Sequence, residues 1–186
     1  METMNERIHQ YIQEHKTEMV DLWKTLVNTE SGSFQKEGVT RVAHILGDEL
    51  EAAGLEVRYE QSENAGDTLI AETTAGKGMA PILFIGHMDT VFKEGAAAKN
   101  PFRIDEKECA HGPGVLDMKG GLVIAVYAIK ACLDAGYNRR PIKCVFAPDE
   151  EIMHAKSNVK HILSREAEGA IAAFNFETGF PDDTFV

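Results

Sequence analysis

The sequence contains few cysteines, and their spacing matches no common cysteine-based structure. Cys109, Cys132 and Cys144 are an odd number and form no C-x-x-C pair, which argues against a disulfide framework or a zinc ribbon and favours reduced, cytosolic thiols. No apolar run approaches the ~20 residues of a membrane span. The polar start, METMNERIHQ, also lacks the apolar segment of a signal peptide, so we predict a cytoplasmic protein with no membrane partner.

Positive charge is also scarce. The 186 residues include 19 Lys and Arg against 30 Asp and Glu, a formal net charge of −11 at pH 7. This balance argues against binding to nucleic acid or to an anionic membrane surface. An acidic surface alone would explain it, and so would carboxylates gathered around metal ions. The 44% hydrophobic content is ordinary for a globular protein and sufficient for one domain with a sizeable core.

Motifs of several other enzyme classes are missing. The sequence has no G-x-S-x-G, G-x-x-x-x-G-K-[ST] or H-E-x-x-H stretch, so these hydrolase and nucleotide-binding patterns find no support. Cys109 and His111 lie two apart in a predicted hairpin, which we interpret as incidental rather than as a thiol nucleophile. His111 is a further metal candidate, and a hydrogen-bonded turn is the favoured interpretation. Three further histidines are assigned to helices or to the surface: His44, His154 and His161.

Apolar periodicity predicts alternating helices and strands. Helices are expected at about 8–27, 39–53, 120–135 and 159–163, and strands at 55–59, 68–73, 81–86, 142–146 and 170–176, with a hairpin at 102–110. This alternation predicts an α/β fold with three layers, α/β/α, around a mostly parallel mixed sheet. The continuous apolar runs 81–86 and 170–176 are typical of buried strands. Residues 182–186 resemble the beginning of another strand, which predicts that the chain is a fragment.

Four short stretches place acids or histidine after a strand or in a glycine-rich turn. They are Gly-His-Met-Asp-Thr at 86–90, Gly-Pro-Gly-Val-Leu-Asp-Met-Lys-Gly-Gly at 112–121, Pro-Asp-Glu-Glu at 148–151 and Phe-Glu-Thr at 176–178. Three of them follow predicted strands. Because the carboxyl ends of strands in an open α/β sheet converge on the ligand crevice, we expect these polar groups to meet in space.

Each stretch taken alone has a structural and a functional interpretation. His87 and Asp89 are two apart, so a strand end would point both side chains the same way, which suits a metal-binding imidazole oriented by a carboxylate. A surface H-x-D pair could also arise by chance. Asp117 lies in a turn whose glycines permit close approach to a site, although G-P-G also marks ordinary turns.

The adjacent acids Glu150 and Glu151 would diverge in a strand or helix, so one could bind a cation while the other transfers protons. Acids in the first turn of a helix are the alternative. Glu177 alone would be a loop residue, and Asp149 is assigned a structural role at the strand end. Carboxylate oxygens with imidazole and no thiolate suit zinc, or cobalt or manganese in its place.

In order and spacing, these four blocks resemble one family. It is the co-catalytic zinc peptidases and amidohydrolases, which include glutamate carboxypeptidase, acetylornithine deacetylase and succinyl-diaminopimelate desuccinylase. The resemblance runs from about residue 5 to the end and is closest to the glutamate-carboxypeptidase branch. It implies that residues 1–186 are the N-terminal portion of the metallopeptidase catalytic domain, and that the lid domain and C-terminal catalytic segment are absent. It also implies a homodimer only for the full-length architecture.

The resemblance also implies roles for the matching residues. His87 and Glu177 would bind one zinc and Glu151 a second, and a cis peptide would follow the bridging Asp117. Glu150 would be the general base acting on a water between the two zinc ions, and Asp89 would orient His87. The implied reaction is hydrolysis of an amide in a small peptide or an N-acyl amino acid.

Two departures from the family pattern limit this expectation. The family's second zinc takes a His from far downstream, and no such position occurs before Val186. Met153 stands where Gly is common. We therefore expect this chain alone to bind at least one metal but to hydrolyse substrate weakly or not at all. The alternatives are a non-catalytic metal-binding or interaction remnant of the same fold and an acidic α/β domain without metal.

Overall fold

The computed structural model describes residues 2–179, so the strand start predicted at 182–186 lies outside the described residues. The helices are α1 (Met4–Glu14), α2 (Lys16–Asn28), α3 (Lys36–Ala52), α4 (Ala96–Lys99), α5 (Gly121–Asp134) and α6 (Val159–Glu166). The strands are β1 (Leu55–Glu60), β2 (Thr68–Thr73), β3 (Ile82–His87), β4 (Arg103–Ile104), β5 (Ala110–His111), β6 (Ile142–Ala147) and β7 (Ala172–Asn175).

Five strands form one mixed sheet in the order β1-β2-β6-β3-β7, and β4 and β5 form the separate small hairpin. β3 runs parallel to both of its neighbours, β6 and β7, whereas β2 is antiparallel to β1 and β6. The predicted mixed α/β fold is therefore confirmed, with the parallel pairs confined to β3 and its neighbours. These pairs bring the carboxyl ends of β3, β6 and β7 to one edge of the sheet.

The two faces of the sheet bury different helices. Alternate residues such as Leu69 and Phe146 pack on one face against the fully buried residues of α3 and α5, including Leu46 and Leu122. The residues between them contact α6 on the other face, where a smaller cluster comprises Ile70, Leu83, Val145 and Ile162. The period-2 alternation of strand side chains thus produces the predicted three layers.

Two details differ from the sequence prediction. The first predicted helix is broken at His15, whose Nδ1 and backbone N–H both donate to the Tyr11 carbonyl, at 2.8 Å and 3.1 Å. The sequence predicts a buried strand at 170–176, and this prediction is wrong about the burial. β7 ends the sheet order among residues 2–179, and Phe174 is 53% exposed.

A network of ion pairs joins α6 to the sheet around Glu166, which is only 5% exposed. Its carboxylate accepts from Arg58 of β1, from Lys143 of β6 at 2.9 Å and from Arg165 at 2.8 Å. Burial would raise the pKa of Glu166, but these hydrogen bonds outweigh burial and lower the pKa to about 2 from the usual 4.5. The ionised carboxylate therefore contributes to the stability of the fold.

We expect this contribution to depend on pH in one direction. Because the folded-state pKa is the lower one, the stabilisation is fully present above about pH 4.5 and is lost as the pH falls towards 2. Glu166→Gln should lower the free energy of unfolding at pH 7 by about 2–3 kcal/mol, and by much less near pH 2. Urea denaturation across this range measures the difference, and an equal loss at both ends would contradict it.

Candidate metal centre

Strand pairing places the predicted blocks side by side. His87 is the last residue of β3 and lies opposite Ala147, the last residue of β6. Asp149, Glu150 and Glu151 follow β6 directly. On the other side of β3, the Phe176 N–H donates to the Ile85 carbonyl at 3.1 Å, which places Glu177 next to the end of β3. The convergence predicted from the strand ends is therefore confirmed.

The His87 imidazole is buried among carboxylates. Its Nδ1–H donates to the backbone carbonyl of Asp89 at 3.0 Å, and Asp89 Oδ1 lies 3.3 Å away. On the other side of the ring, Nε2 lies 3.0 Å from Asp117 Oδ1 and 3.3 Å from Glu177 Oε1. Within residues 2–179, His87, Asp117 and Glu177 form the one group of at least three His, Cys, Asp or Glu residues whose ligand atoms all lie within 4.8 Å of one another.

The charge around His87 favours a cation. Burial lowers the pKa of the imidazole, but hydrogen bonds and charges from Asp89 and Glu177 outweigh burial and raise the pKa to about 11 from the usual 6.5. Nδ1 is occupied by the Asp89 carbonyl, so Nε2 is the nitrogen available as a ligand. Once Nε2 loses its proton, its lone pair and the two carboxylates form a donor set that fits a divalent ion such as zinc.

Asp117 lies in an irregular turn between Val115 and Gly120, where Asp117 and Met118 depart from helical geometry. The peptide bond between these two residues is cis, as the family resemblance implies. The Asp117 side chain is 51% exposed, whereas Met118 and Lys119 are buried. Burial lowers the pKa of Lys119 to about 7, although the negative charge of Glu30 acts to raise this pKa.

Asp89 is fully buried and connects three segments of the site. Its carboxylate accepts from Ser33 Oγ at 2.6 Å, from the Glu150 N–H at 2.9 Å and from the Glu151 N–H at 3.2 Å. Ser33 was not among the predicted site residues, because a serine between two helices carries no distinctive signal. Asp89 therefore supports both His87 and the backbone of the acidic pair.

The acids after β6 have three different environments. Asp149 is buried and accepts from the Lys156 and Ser157 N–H groups at 2.9 Å each, in keeping with the structural role assigned to it. Glu150 is partly exposed, with its Oε2 3.9 Å from His87 Nε2. Glu151 lies outside the close set around His87. Burial and then the charge of Asp117 raise the pKa of Glu151, with His87 opposing them.

A groove of about 560 Å³ opens beside these groups. Asp117, Glu150 and Glu177 line it together with apolar residues, and His154 also reaches it. The sequence assigned His154 to a helix or the surface, because nothing local indicates that this residue reaches the groove. His111 lies apart, with Nε2 2.8 Å from Asp105 Oδ2 in the hairpin, which matches the favoured interpretation of this residue.

Several solved peptidases share the fold of this chain. The chain aligns with the di-peptidase Dug1p from Saccharomyces cerevisiae at a TM-score of 0.75 and 16% identity, covering 91% of this chain and 40% of that one. For human carnosine dipeptidase 1 the TM-score is 0.70 with 22% identity, and the coverages are 91% and 40%. A metallo-carboxypeptidase, Sso-CP2 from Sulfolobus solfataricus, aligns at a TM-score of 0.69 and 18% identity, with coverages of 89% and 38%. The chain thus has the fold of these three solved peptidases.

Sequence comparison identifies the family. Residues 83–186 match Peptidase family M20/M25/M40, and the chain belongs to this family. It is 32% identical over 155 residues to carboxypeptidase G2 of Pseudomonas sp. (strain RS-16), covering 82% of this chain and 36% of that protein. It is 31% identical over 138 residues to an acetylornithine deacetylase of Vibrio cholerae, covering 71% and 36%. The chain thus spans about a third of the length of these relatives.

No helix among residues 2–179 is both long and apolar enough to cross a membrane.

Proposed function

We propose that this chain contributes the metal centre of a hydrolase that cleaves the amide bond of small peptides or N-acyl amino acids. The observation that carries the proposal is the position of His87 Nε2, close to the carboxylates of Asp117 and Glu177 with Glu150 3.9 Å away. Family membership supports the reaction class, and carboxypeptidase G2 and acetylornithine deacetylase support the substrate class. We further propose that the protein acts in the cytoplasm.

The proposed ligands of the first metal ion are His87, Asp117 and Glu177. Asp117 would be shared with a second ion bound by Glu151, whose raised pKa is consistent with a crowded anionic site. Zinc ions bound here, or cobalt or manganese, would polarise the scissile carbonyl and lower the pKa of the attacking water. His87 is suited to its role because Asp89 fixes the ring tautomer and leaves Nε2 as the ligand atom.

Glu150 is the proposed general base. Its carboxylate is partly exposed to the groove, so it can reach a water and a substrate amine while its backbone is held by Asp89. A base in this position would accept a proton from the attacking water and return it to the leaving nitrogen. Glu151, which follows it on the same turn, is left free to act as a ligand.

We propose that residues 1–186 form the N-terminal portion of the catalytic domain of a longer protein. The coverage of the relatives, about a third of their length, supports this proposal. A further ligand for the second ion, the lid domain and a dimer interface would then be supplied by other segments of that protein. The isolated chain would bind metal at the His87 centre and turn over little substrate.

Metal content and turnover test this proposal together. After dialysis against Zn²⁺ we expect about one zinc per chain, because His87, Asp117 and Glu177 form one close donor set among residues 2–179. The unmodified chain should release amine from dipeptides and N-acetyl amino acids no faster than the Glu150→Gln variant does. Metal analysis and an amine-reactive dye measure these two quantities.

The two outcomes separate the two parts of the proposal. A chain that retains no zinc, cobalt or manganese would contradict the metal centre. Rapid release that Glu150→Gln abolishes would support the hydrolase and contradict only the proposed incompleteness of the chain.

A further inference from the structure

Asp117, Met118 and Lys119 are consecutive but lie in contrasting environments. The Asp117 side chain is 51% exposed, whereas Met118 is 0% and Lys119 is 1% exposed. An exposed carboxylate normally samples several rotamers, because solvent satisfies it in each of them. The position of Asp117 beside His87 therefore depends on how firmly the backbone that carries it is held.

Met118 holds this backbone against β3. Its Sδ lies 3.0 Å from the His87 backbone N and accepts that N–H. Its methyl group packs over Gly86, where an added Cβ would come within 2.6 Å of Met118 Cε. Met118 therefore contacts both Gly86 and His87 of β3. The turn that bears Asp117 is thus packed directly against the strand that bears His87.

Lys119 holds the same backbone against α2. Its Nζ donates to the carbonyls of Leu26 at 2.7 Å and Thr29 at 2.8 Å, which belong to the last turn and end of that helix. The Leu26 carbonyl also accepts from the Thr29 N–H at 3.1 Å, and the negative end of the helix dipole favours an ammonium beside these carbonyls. Trp23 of α2 adds a second contact, because its Nε1 donates to the Val115 carbonyl at 3.0 Å.

We propose that Met118 and Lys119 act as a pair of positioning residues that set the distance between the Asp117 carboxylate and His87. One side chain ties the turn to β3 and the other ties it to α2, so the carboxylate is preorganised although solvent surrounds it. This inference rests on the proposed metal centre, because the distance matters only if both residues bind one ion. Outer contacts of this kind typically change metal affinity by about 10–100-fold.

The test compares variants of the whole chain in Co²⁺ titrations at low temperature, where near-UV circular dichroism confirms that each is folded. Lys119→Met removes the ammonium and keeps the length of the side chain, and Met118→Leu removes the sulfur acceptor and keeps its apolar volume. We expect Lys119→Met to raise the Co²⁺ Kd about 10–100-fold and both variants to alter the visible Co²⁺ spectrum. That spectrum reports ligand geometry and does not respond to a uniform loss of stability.

A matched control is Lys130→Met. Lys130 is another largely buried lysine, on α5, paired with Glu49 and packed over the Tyr127 ring at 4.8 Å. Its loss should lower the melting temperature while leaving the Co²⁺ Kd and spectrum unchanged. If folded Lys119→Met and Met118→Leu also bind Co²⁺ with an unchanged Kd and spectrum, the positioning role is refuted.

A second measurement separates this inference from the proposed function. The nitrogen and carbon NMR signals of the His87 ring, recorded without added metal, report its contact with Asp117 directly. Shifted His87 signals in the Lys119→Met variant, whose replaced ammonium contacts α2 rather than His87, would support the positioning role even if the unmodified chain bound no Co²⁺. Failure of the unmodified chain to bind Co²⁺ would contradict the metal centre, and unchanged His87 signals in both variants would contradict the positioning pair.

Discussion

Replacement of His87 by alanine is expected to weaken Co²⁺ and Zn²⁺ binding by more than about 100-fold, because loss of an outer partner alone costs about 10–100-fold. His87 supplies the one nitrogen in the donor set, and both carboxylates of the set face its Nε2. Without the imidazole, Asp117 and Glu177 would repel each other and separate into the groove. Isothermal titration calorimetry of the variant and the unmodified chain measures the change.

Two matched variants make the His87 result specific. His161→Ala removes an exposed imidazole from α6 and should leave the metal affinity unchanged. Glu150→Gln should also retain metal binding, because the proposed role of Glu150 is proton transfer rather than ligation. Near-normal affinity in His87→Ala would contradict the proposed centre, and a large loss in Glu150→Gln would instead assign Glu150 as a ligand.

Asp89→Asn is expected to cost about 3–5 kcal/mol of unfolding free energy, the range for breaking a buried charged contact. The Asp89 carboxylate accepts from Ser33 Oγ and from the N–H groups of Glu150 and Glu151, and it lies beside His87 Nδ1. An asparagine amide would present two donors to groups that are themselves donors. At least one buried N–H would therefore lose its acceptor.

Urea denaturation of Asp89→Asn measures this loss, and Asp48→Asn is the matched control. Asp48 is an exposed residue of α3, so its substitution should change stability by no more than about 0.5 kcal/mol. Metal affinity should fall in Asp89→Asn as well, since His87 loses its orienting partner. A stability loss below 1 kcal/mol would show that Asp89 is not the connecting residue that its contacts indicate.

Much of the fold could be predicted because its signals are local. The apolar runs that form β3 and β6 and the strongly apolar α5 are visible in short windows of sequence, and their observed bounds differ from the predicted ones by only a few residues. The break at His15 was not predicted, because no glycine or proline marks it in the sequence. The exposure of β7 was missed because composition does not report which strand lies at the edge of a sheet.

The candidate site was predicted as four separate stretches. Strand ends followed by acids indicated where polar groups would gather, and the order of the stretches identified the family. Their roles as ligands and base stay predictions, which metal binding by His87→Ala and Glu150→Gln tests. Lys119 and His154 were not predicted as part of the site. A single lysine in a turn, or a single histidine that follows a turn, has many ordinary explanations.

By itself, the sequence determined the kinds of residue, their order along the chain and the segments that become strands and helices. These features follow from local propensity and from apolar periodicity, both of which are properties of neighbouring residues. Only the tertiary structure decided that Glu177 lies 3.3 Å from a histidine ninety positions earlier, and that Asp89 is buried beneath Glu150 and Glu151. The reason is physical: these contacts arise from the order of strands in the sheet and from packing between layers.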